Sequence, residues 1–319
     1  MSAKRAPPDP DPIETSHNNR PVQQVNGLVI VNYGKALLVE DRHGELQRCV
    51  ARRNLGQIVC GDRVSWEPTG TGEGVISAVA PRDTVLMRID ITRKARPLAA
   101  NIDQIVVVSA PQPALDEFLI DKYLIAAELI GTIPVLVINK SDLLDTKARK
   151  ALDAQVSTYA GIGYRVLYTS ALTRDGIDPL AEVLAGKTSI LVGQSGVGKS
   201  SLIMRLLPDL DIAIGKLSDA SGQGRHTTTA TTLYHLSHGG KLIDSPGVRD
   251  FRLEPTVAAE LAQGFREFRP FIGQCRFHNC RHVNEPECAL TAAASQGVIS
   301  ERRLESYRNL LQWMADATP

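Results

Sequence analysis

The chain has 319 residues, 43% of them hydrophobic, and its 36 Lys and Arg against 35 Asp and Glu leave a formal net charge of +1. The length predicts two or three domains, the apolar fraction excludes wholesale disorder, and the near-neutral charge excludes a uniformly basic protein that coats nucleic acid. No apolar run approaches the ~18–20 residues of a membrane helix, so we expect no membrane association. Five Cys and the absence of a secretory signal at the start of the sequence favour a reducing cytoplasm.

The first part of the chain divides into a tail and a β-rich segment. Residues 1–21 hold five Pro and few apolar side chains, which predicts a disordered tail, with an arm that orders on a partner as the alternative. Residues 22–97 predict five short strands separated by Gly-containing turns: GLVIVN, KALLVED, LQRCVA, DRVSWEP and GVISAVA. We therefore expect a small closed barrel such as an OB-fold, although periodicity alone leaves an SH3-like barrel open.

The rest of the chain predicts two further domains. Residues 98–254 alternate apolar runs typical of buried strands (QIVVVSA, IPVLVIN, TSILVG) with segments of helical spacing (FLIDKYLIAAELI, TKARKALDAQVSTYA, KSSLIMRLL). This alternation of strands and helices predicts an α/β domain with a mostly parallel sheet. Residues 255–319 predict helices over TVAAELAQGFREF and ISERRLESYRNLLQWMA, on either side of a Cys/His cluster.

The strongest motif is GQSGVGKS at residues 193–200, between a predicted strand and a predicted helix. Its glycines let backbone N–H groups curl around phosphate oxygens, Lys199 reaches the β- and γ-phosphates, and Ser200 offers a hydroxyl to Mg²⁺. A plain Gly-rich turn is the alternative. The nucleotide-binding residues expected here are Gly193, Gln194, Ser195, Gly196, Val197, Gly198, Lys199, Ser200 and Ser201.

A second motif, NKSD at residues 139–142, follows the predicted strand IPVLVIN. The Asp142 carboxylate can accept hydrogen bonds from the N1–H and the exocyclic amine of guanine, which adenine lacks in that place. Taken alone the tetrapeptide is typical of a solvated turn, but beside a phosphate loop it predicts GTP and GDP as ligands. A backbone N–H in TSA at 169–171 suits the guanine oxygen, and the expected base-binding residues are Asn139, Lys140, Ser141, Asp142, Ser170 and Ala171.

A third motif, DSPG at residues 244–247, follows the apolar-leaning run KLID. Asp244 is expected in the Mg²⁺ sphere through water, and Gly247 is expected to donate its N–H to a γ-phosphate; an ordinary Asx turn is the alternative. Common GTPases place the phosphate loop before the base motif, whereas this chain places it after. The order therefore predicts a circularly permuted GTPase domain whose DSPG segment leads straight into the C-terminal region.

The Ser/Thr/Gly-rich residues 217–232 predict a switch loop, with a plain linker as the alternative. Among the Thr residues at 227–229 we favour Thr228 as a Mg²⁺ ligand. Many GTPases have a Gln just after the DxxG glycine to orient the attacking water, but Val248 stands there. His226 is the candidate to replace it, a solvated loop His being equally typical, so the expected catalytic residues are His226, Lys199 and Thr228.

The last constellation is Cys275-x₄-Cys280-x-His282-x₅-Cys288. Three thiolates and one imidazole are typical of a closed tetrahedral Zn²⁺ site, which is structural because no position is open for catalysis. Buried free thiols and an iron–sulfur site are the alternatives, and His278 is a competing ligand at a cramped spacing from Cys280.

These motifs together resemble the ribosome small-subunit-dependent GTPase A family (RsgA, also called YjeQ). NKSD, TSA, GQSGVGKSS, GRHTTT, DSPG and the Cys/His pattern carry the resemblance, in that order, over residues 22–315. The resemblance implies an N-terminal OB-fold, a central permuted P-loop GTPase domain and a C-terminal helical zinc domain. It also implies binding to the small (30S) ribosomal subunit and its rRNA in late maturation, GTP hydrolysis stimulated by the subunit, and release afterwards. We expect a cytoplasmic monomer.

Two other functions stay open at this point. One is a zinc- and barrel-containing nucleic-acid-binding protein whose nucleotide site gates binding and hardly turns over; multiple turnover with small subunits would exclude it. The other is a permuted GTPase that serves the large subunit or an RNA unrelated to ribosomes, which co-sedimentation with separated subunits would distinguish.

Overall fold

The structure, a computed structural model, describes residues 25–34, 36–89, 94–209, 230–245 and 257–317. The predicted tail at 1–21 lies outside these residues. Five strands begin the described chain, and their bounds are β1 (Gly27–Asn32), β2 (Leu37–Asp41), β3 (Leu46–Ala51), β4 (Arg63–Gly70) and β5 (Glu73–Val79). The strand order β1-β2-β3-β5-β4 closes because β1 also pairs with β4; β3 and β5 are parallel and the other pairs antiparallel. This is an OB-like barrel, as expected.

Two glycines let an aromatic ring lie against the barrel strands. A Cβ at Gly27 would stand 2.7 Å from Cδ1 of Trp66, and one at Gly74 would stand 2.5 Å from its Cε3. A glycine within a strand is typical of such a close approach. A separate small core fills the barrel, and it includes Val29, Val39, Cys49, Val64 and Ile76.

A two-stranded antiparallel hairpin, β6 (Val85–Ile89) and β7 (Ala95–Ala100), follows the barrel. The sequence did not predict it, because ARPLAA contains a Pro and shows no alternation of polar and apolar residues. Just before the hairpin, Arg82 donates from Nε to the buried Asp62 carboxylate at 2.7 Å, which pins the connecting chain to the barrel.

The central sheet has the predicted, mostly parallel form. Its strands are β8 (Gln104–Ser109), β9 (Ile133–Ile138), β10 (Arg165–Tyr168), β11 (Thr188–Val192), β12 (Thr232–His235) and β13 (Lys241–Asp244), in the order β10-β9-β8-β11-β13-β12. All pairs are parallel except β12 with β13. The unpredicted β12 also pairs with β1 of the barrel, Val31 opposite Thr232, so the two sheets are continuous.

In the part of the chain that the structure describes, the helices beside this sheet are α1 (Glu117–Ile130), α2 (Thr146–Gly161), α3 (Ile177–Leu184) and α4 (Lys199–Leu206). The side chains of Asp116 and Asp145 cap α1 and α2 by accepting the N–H groups of Leu119 at 3.0 Å and Ala148 at 2.7 Å. Such caps satisfy N–H groups that have no partner within the helix.

The C-terminal region contains α5 (Ala258–Gln263), a 3₁₀ segment (Arg266–Phe271), α6 (Ala289–Ser295) and α7 (Glu301–Ala317). The single helix predicted over TVAAELAQGFREF is wrong, because α5 ends before Gly264 and the chain continues as the 3₁₀ segment. A Cβ at Gly264 would stand 2.6 Å from Cγ2 of Ile125, so this glycine allows close packing on α1. Among the described residues, no helix has the length and apolar character needed to span a membrane.

Candidate functional site

Residues 193–198 connect β11 to α4 at the carboxyl end of the parallel strands, where open α/β sheets bind their ligands. The backbone requires glycine at two points of this loop. Gly193 has a φ of 142°, and a Cβ there would lie 2.0 Å from the Val108 carbonyl oxygen. Gly198 has a φ of 93°, and a Cβ there would lie 2.3 Å from Nδ2 of Asn139. The loop therefore curls tightly at both ends.

The amine of Lys199 lies inside this curl. Its Nζ donates to the carbonyl oxygens of Gly193 at 2.7 Å and Gln194 at 2.8 Å. A phosphate can displace these neutral acceptors, because hydrogen bonds between charged partners are stronger. Lys199 and Ser200 begin α4, whose first N–H groups also favour an anion. The other residues predicted here lie in the same loop or in the first turn of α4: Ser195, Gly196, Val197 and Ser201.

Asn139 connects the three predicted elements of the site. The residue follows β9 directly and is 1% exposed. Its Nδ2 donates to the Val197 carbonyl of the phosphate loop at 2.9 Å. Its Oδ1 accepts from the Thr169 hydroxyl at 3.2 Å and from the Ala171 backbone N–H at 3.3 Å. The base motif, the TSA loop and the phosphate loop are therefore held together by one amide.

The other three residues of NKSD contact two segments, the chain just before α1 and the TSA loop. Lys140 has a φ of 57° and extends over the site, where its Nζ donates to the Gln112 carbonyl at 2.8 Å. Asp142 accepts a 2.5 Å hydrogen bond from the Ser170 hydroxyl. Ser141 donates its backbone N–H to Thr169 at 3.0 Å. The TSA loop thus orients the Asp142 carboxylate, which is the predicted acceptor of the guanine N1–H and amine.

A cavity of about 530 Å³ lies between these elements. It combines a carboxylate, an amine and backbone groups with apolar side chains, which is the composition typical of a small-molecule site. The residues that line it are Asn139, Lys140, Asp142, Leu143, Ala171, Leu172, Gly198, Ser201, Met204 and Arg205.

Asp244 ends β13, which lies beside β11 in the sheet, so it shares an edge with the phosphate loop. Burial raises the pKa of its carboxyl, and the nearby Lys199 cation opposes the rise. A bound cation would favour the ionised form further. The predicted residues His226, Thr228 and Gly247 lie outside the described residues.

The structure brings the predicted metal ligands together. The ligating atoms of Cys275, Cys280, His282 and Cys288 all lie within 4.8 Å of one another. Nδ1 of His282 is 3.4 Å, 3.6 Å and 3.4 Å from the three sulfurs, and the sulfurs of Cys275 and Cys288 are 4.0 Å apart. A tetrahedron with Zn–S and Zn–N distances of about 2.3 and 2.0 Å has edges of roughly 3.5–3.8 Å, so the donor set fits this ion. His278, the competing ligand, is not part of the group.

Neighbouring side chains fix the loop that carries these ligands. The Glu285 carboxylate accepts the backbone N–H groups of Arg281 and Val283 at 2.9 Å and of Asn284 at 3.1 Å. Burial alone would raise its pKa, but these and its own N–H bond outweigh that effect and lower the pKa to about 2. From α7, the Tyr307 hydroxyl donates to the Arg281 carbonyl at 2.8 Å.

Sequence reasoning did not find three of these contacts. The Gln112 carbonyl accepts from Lys140, and Nε of Arg205 donates to the Ala171 carbonyl at 2.6 Å. Each bond uses a backbone carbonyl, so no pattern of residue types announces it. Glu285 had a local signal, since an acidic residue three positions after His282 can accept the N–H groups of its own turn.

Comparison with known proteins identifies the family. The family model for the RsgA GTPase matches residues 79–254. The small ribosomal subunit biogenesis GTPase RsgA of Yersinia enterocolitica is 46% identical over 301 residues, which cover 92% of this chain and 86% of that protein. The protein of the same name from Chromohalobacter salexigens is 49% identical over 289 residues, covering 89% and 85%.

Solved structures have the same architecture. YjeQ from Thermotoga maritima superimposes with a TM-score of 0.74 at 34% identity, covering 91% of this chain and 98% of that one. YloQ, described as a circularly permuted GTPase, also gives a TM-score of 0.74, at 27% identity and with coverage of 92% and 96%. The family model, the relatives and the solved structures agree, and this chain belongs to the RsgA family of circularly permuted GTPases.

Proposed function

We propose that this chain binds GTP and hydrolyses it to GDP and phosphate while it assists late maturation of the small (30S) ribosomal subunit. The observation that carries the nucleotide assignment is Asn139, whose amide joins the base motif to both the TSA loop and the phosphate loop. One site can therefore hold both ends of a guanine nucleotide at once.

In this proposal each part of the nucleotide has its own residues. Asp142 accepts the N1–H and amine of guanine, Ala171 donates its N–H to the guanine oxygen, and the Lys140 stem covers the base. Residues 193–201 surround the phosphates with backbone N–H groups, and Lys199 binds the β- and γ-phosphates. Adenine lacks the N1–H and amine that Asp142 would accept, which supports selectivity for guanine over adenine.

The proposed magnesium ligands are Ser200 and Thr228, with Asp244 acting through water and the Gly247 N–H directed at the γ-phosphate. Mg²⁺ bound with the nucleotide neutralises charge on the phosphate oxygens. We further propose that His226 orients the attacking water, since Val248 at the position after Gly247 cannot. Slow hydrolysis in the absence of a partner follows from this substitution.

We also propose that the metal held by the Cys275 cluster is one structural zinc ion. The closed donor set supports this, because three thiolates and one imidazole complete a tetrahedron without an open position. The zinc ion would fix the backbone conformation of residues 275–288 through its four ligands.

The proposed partner is the small ribosomal subunit and its rRNA, supported by the names of the relatives, which are small ribosomal subunit biogenesis GTPases. The proposed protein is a monomer that acts in the cytoplasm, and its GTPase activity is stimulated by the subunit and followed by release. The proposed division of the chain is a barrel domain at 22–97, a permuted GTPase domain at 98–254 and a zinc domain at 255–319.

GTP hydrolysis by the purified chain, alone and with isolated small subunits, large subunits or bulk RNA, tests the proposal. We expect strong stimulation and multiple turnover with small subunits alone. Equal stimulation by large subunits or bulk RNA would contradict the partner, and absence of turnover in every mixture would contradict the enzymatic role.

A further inference from the structure

An arginine near the end of the phosphate-loop helix contacts the loop proposed to bind the guanine oxygen. Arg205 lies six positions after Lys199 on α4, and its Nε donates to the carbonyl oxygen of Ala171 at 2.6 Å. The phosphate-loop motif does not include this position. Arg205 is also one of the residues that line the base cavity.

Two other hydrogen bonds connect this loop to the NKSD side of the cavity. Asp142 accepts from the Ser170 hydroxyl, and Asn139 accepts from the Ala171 N–H at 3.3 Å. Arg205 supplies a bond from the opposite side, where α4 lies. Ala171 is therefore held from two sides: one wall of the cavity binds the N–H that it contributes to the peptide with Ser170, and the other wall binds the carbonyl that it contributes to the next peptide.

The two hydrogen bonds of Ala171 are not equivalent. The N–H contact of 3.3 Å is long for a hydrogen bond, whereas the carbonyl contact of 2.6 Å involves a charged donor. A ligand oxygen can replace Asn139 as the acceptor of the N–H while Arg205 keeps the carbonyl fixed. With its carbonyl held, Ala171 presents its N–H in a constant direction, at a constant distance from the helix that carries Lys199 and Ser200.

We propose that Arg205 is a positioning residue for guanine recognition, which fixes the Ala171 N–H against the guanine 6-oxygen and sets its distance from the phosphate loop. The proposal rests on the guanine-nucleotide site proposed above. Arg205 does not react with the nucleotide; it acts through the backbone of Ala171.

The test uses nucleotides that differ only in the base. GDP and IDP both carry the 6-oxygen, while 6-thio-GDP carries sulfur, a weaker hydrogen-bond acceptor, at the same position. Affinities of the three for the full chain are measured by titration calorimetry. Arg205→Ala should weaken GDP and IDP equally, by roughly three- to tenfold, as expected for loss of one hydrogen bond. It should weaken 6-thio-GDP less, so the preference for GDP over 6-thio-GDP shrinks.

Two further variants separate positioning from general damage. Arg205→Lys keeps a charged donor and should restore part of the lost affinity. Arg174→Ala removes an exposed arginine of the same loop, whose side chain makes no hydrogen bond or ion pair with the described residues, and should change none of the three affinities.

Equal weakening of all three nucleotides by Arg205→Ala would overturn the proposal, because it would indicate a structural role without selection at the 6-position. Unchanged affinities, or a wild-type chain that binds GDP and 6-thio-GDP equally, would overturn it as well. Failure of the underlying guanine site looks different: the wild-type chain itself would bind ADP as tightly as GDP.

Discussion

Arg303 of α7 and Asp121 of α1 form an ion pair in which both side chains are fully buried, with Nη1 2.7 Å from Oδ1. Glu267 accepts from Nε of the same guanidinium at 2.6 Å. Burial lowers the pKa of Arg303, but the two carboxylates outweigh burial and raise it above the ordinary value. The C-terminal helices are thus attached to the first helix of the nucleotide-binding sheet by charges that water does not reach.

Asp121→Ala should lower the free energy of unfolding by about 3–5 kcal/mol, because it removes one of the two carboxylates that neutralise the buried Arg303 guanidinium and also removes a partner of Arg302. Denaturant unfolding followed by circular dichroism measures this. Arg149→Ala, which breaks the exposed pair with Asp153, is the matched control and should leave the midpoint unchanged. A midpoint for Asp121→Ala as high as that of the control would contradict a structural role for the buried pair.

Asp142→Asn should weaken GTP binding by at least ~100-fold, because an amide donor would then face the N1–H or amine of guanine. Xanthine carries an oxygen in place of the amine, so XTP should bind the variant better than GTP does. Competition against a fluorescent nucleotide gives both affinities. Retained preference for GTP over XTP would show that another residue reads this edge of the base.

The purified chain should contain one equivalent of zinc, and Cys280→Ala should lose it, since the cluster would keep only three ligands. His278→Ala is the control, because His278 lies outside the cluster, and it should retain one equivalent. Elemental analysis by mass spectrometry measures both. Iron in place of zinc, or zinc loss in the His278 variant, would overturn the assignment of the metal or of its ligands.

Glu285→Gln should release zinc to a chelator about 10-fold faster at neutral pH, because an amide cannot accept all the backbone N–H groups that the carboxylate holds. The folded-state pKa of about 2 lies below the ordinary 4.5, so the stabilisation is complete above pH 4.5 and declines as the pH falls towards 2. Glu287→Gln, at an exposed ion pair with Arg276, is the control. A stability difference between wild type and Glu285→Gln that persists unchanged at pH 2 would contradict this mechanism.

His226→Ala should lower the rate of GTP turnover in the presence of small subunits with little change in GTP affinity, because orienting water matters only during hydrolysis. Steady-state kinetics and nucleotide titration together separate the two effects. Equal losses of rate and affinity would show that His226 shapes the site instead.

The sequence predicted the architecture and the metal cluster because both depend on patterns within the chain. Strand periodicity located the barrel and the parallel strands, and the spacing of Cys275 to Cys288 indicated the four ligands that the structure brings together. The β6–β7 hairpin and β12 were missed because they are short or lack alternation. The positions of Gln112 and Arg205 depend on where distant segments meet, which residue types alone do not encode.

The pairing of β12 with β1 also affects how the chain can be divided. In the described sheet, β12 is the strand at which the nucleotide-binding half meets the barrel, through Val31 and Thr232. A fragment that begins after the barrel would present that side of β12 to solvent, and exposed strand edges pair with other chains. The barrel therefore also covers a strand edge of the nucleotide-binding half that would otherwise be open to pairing with another chain.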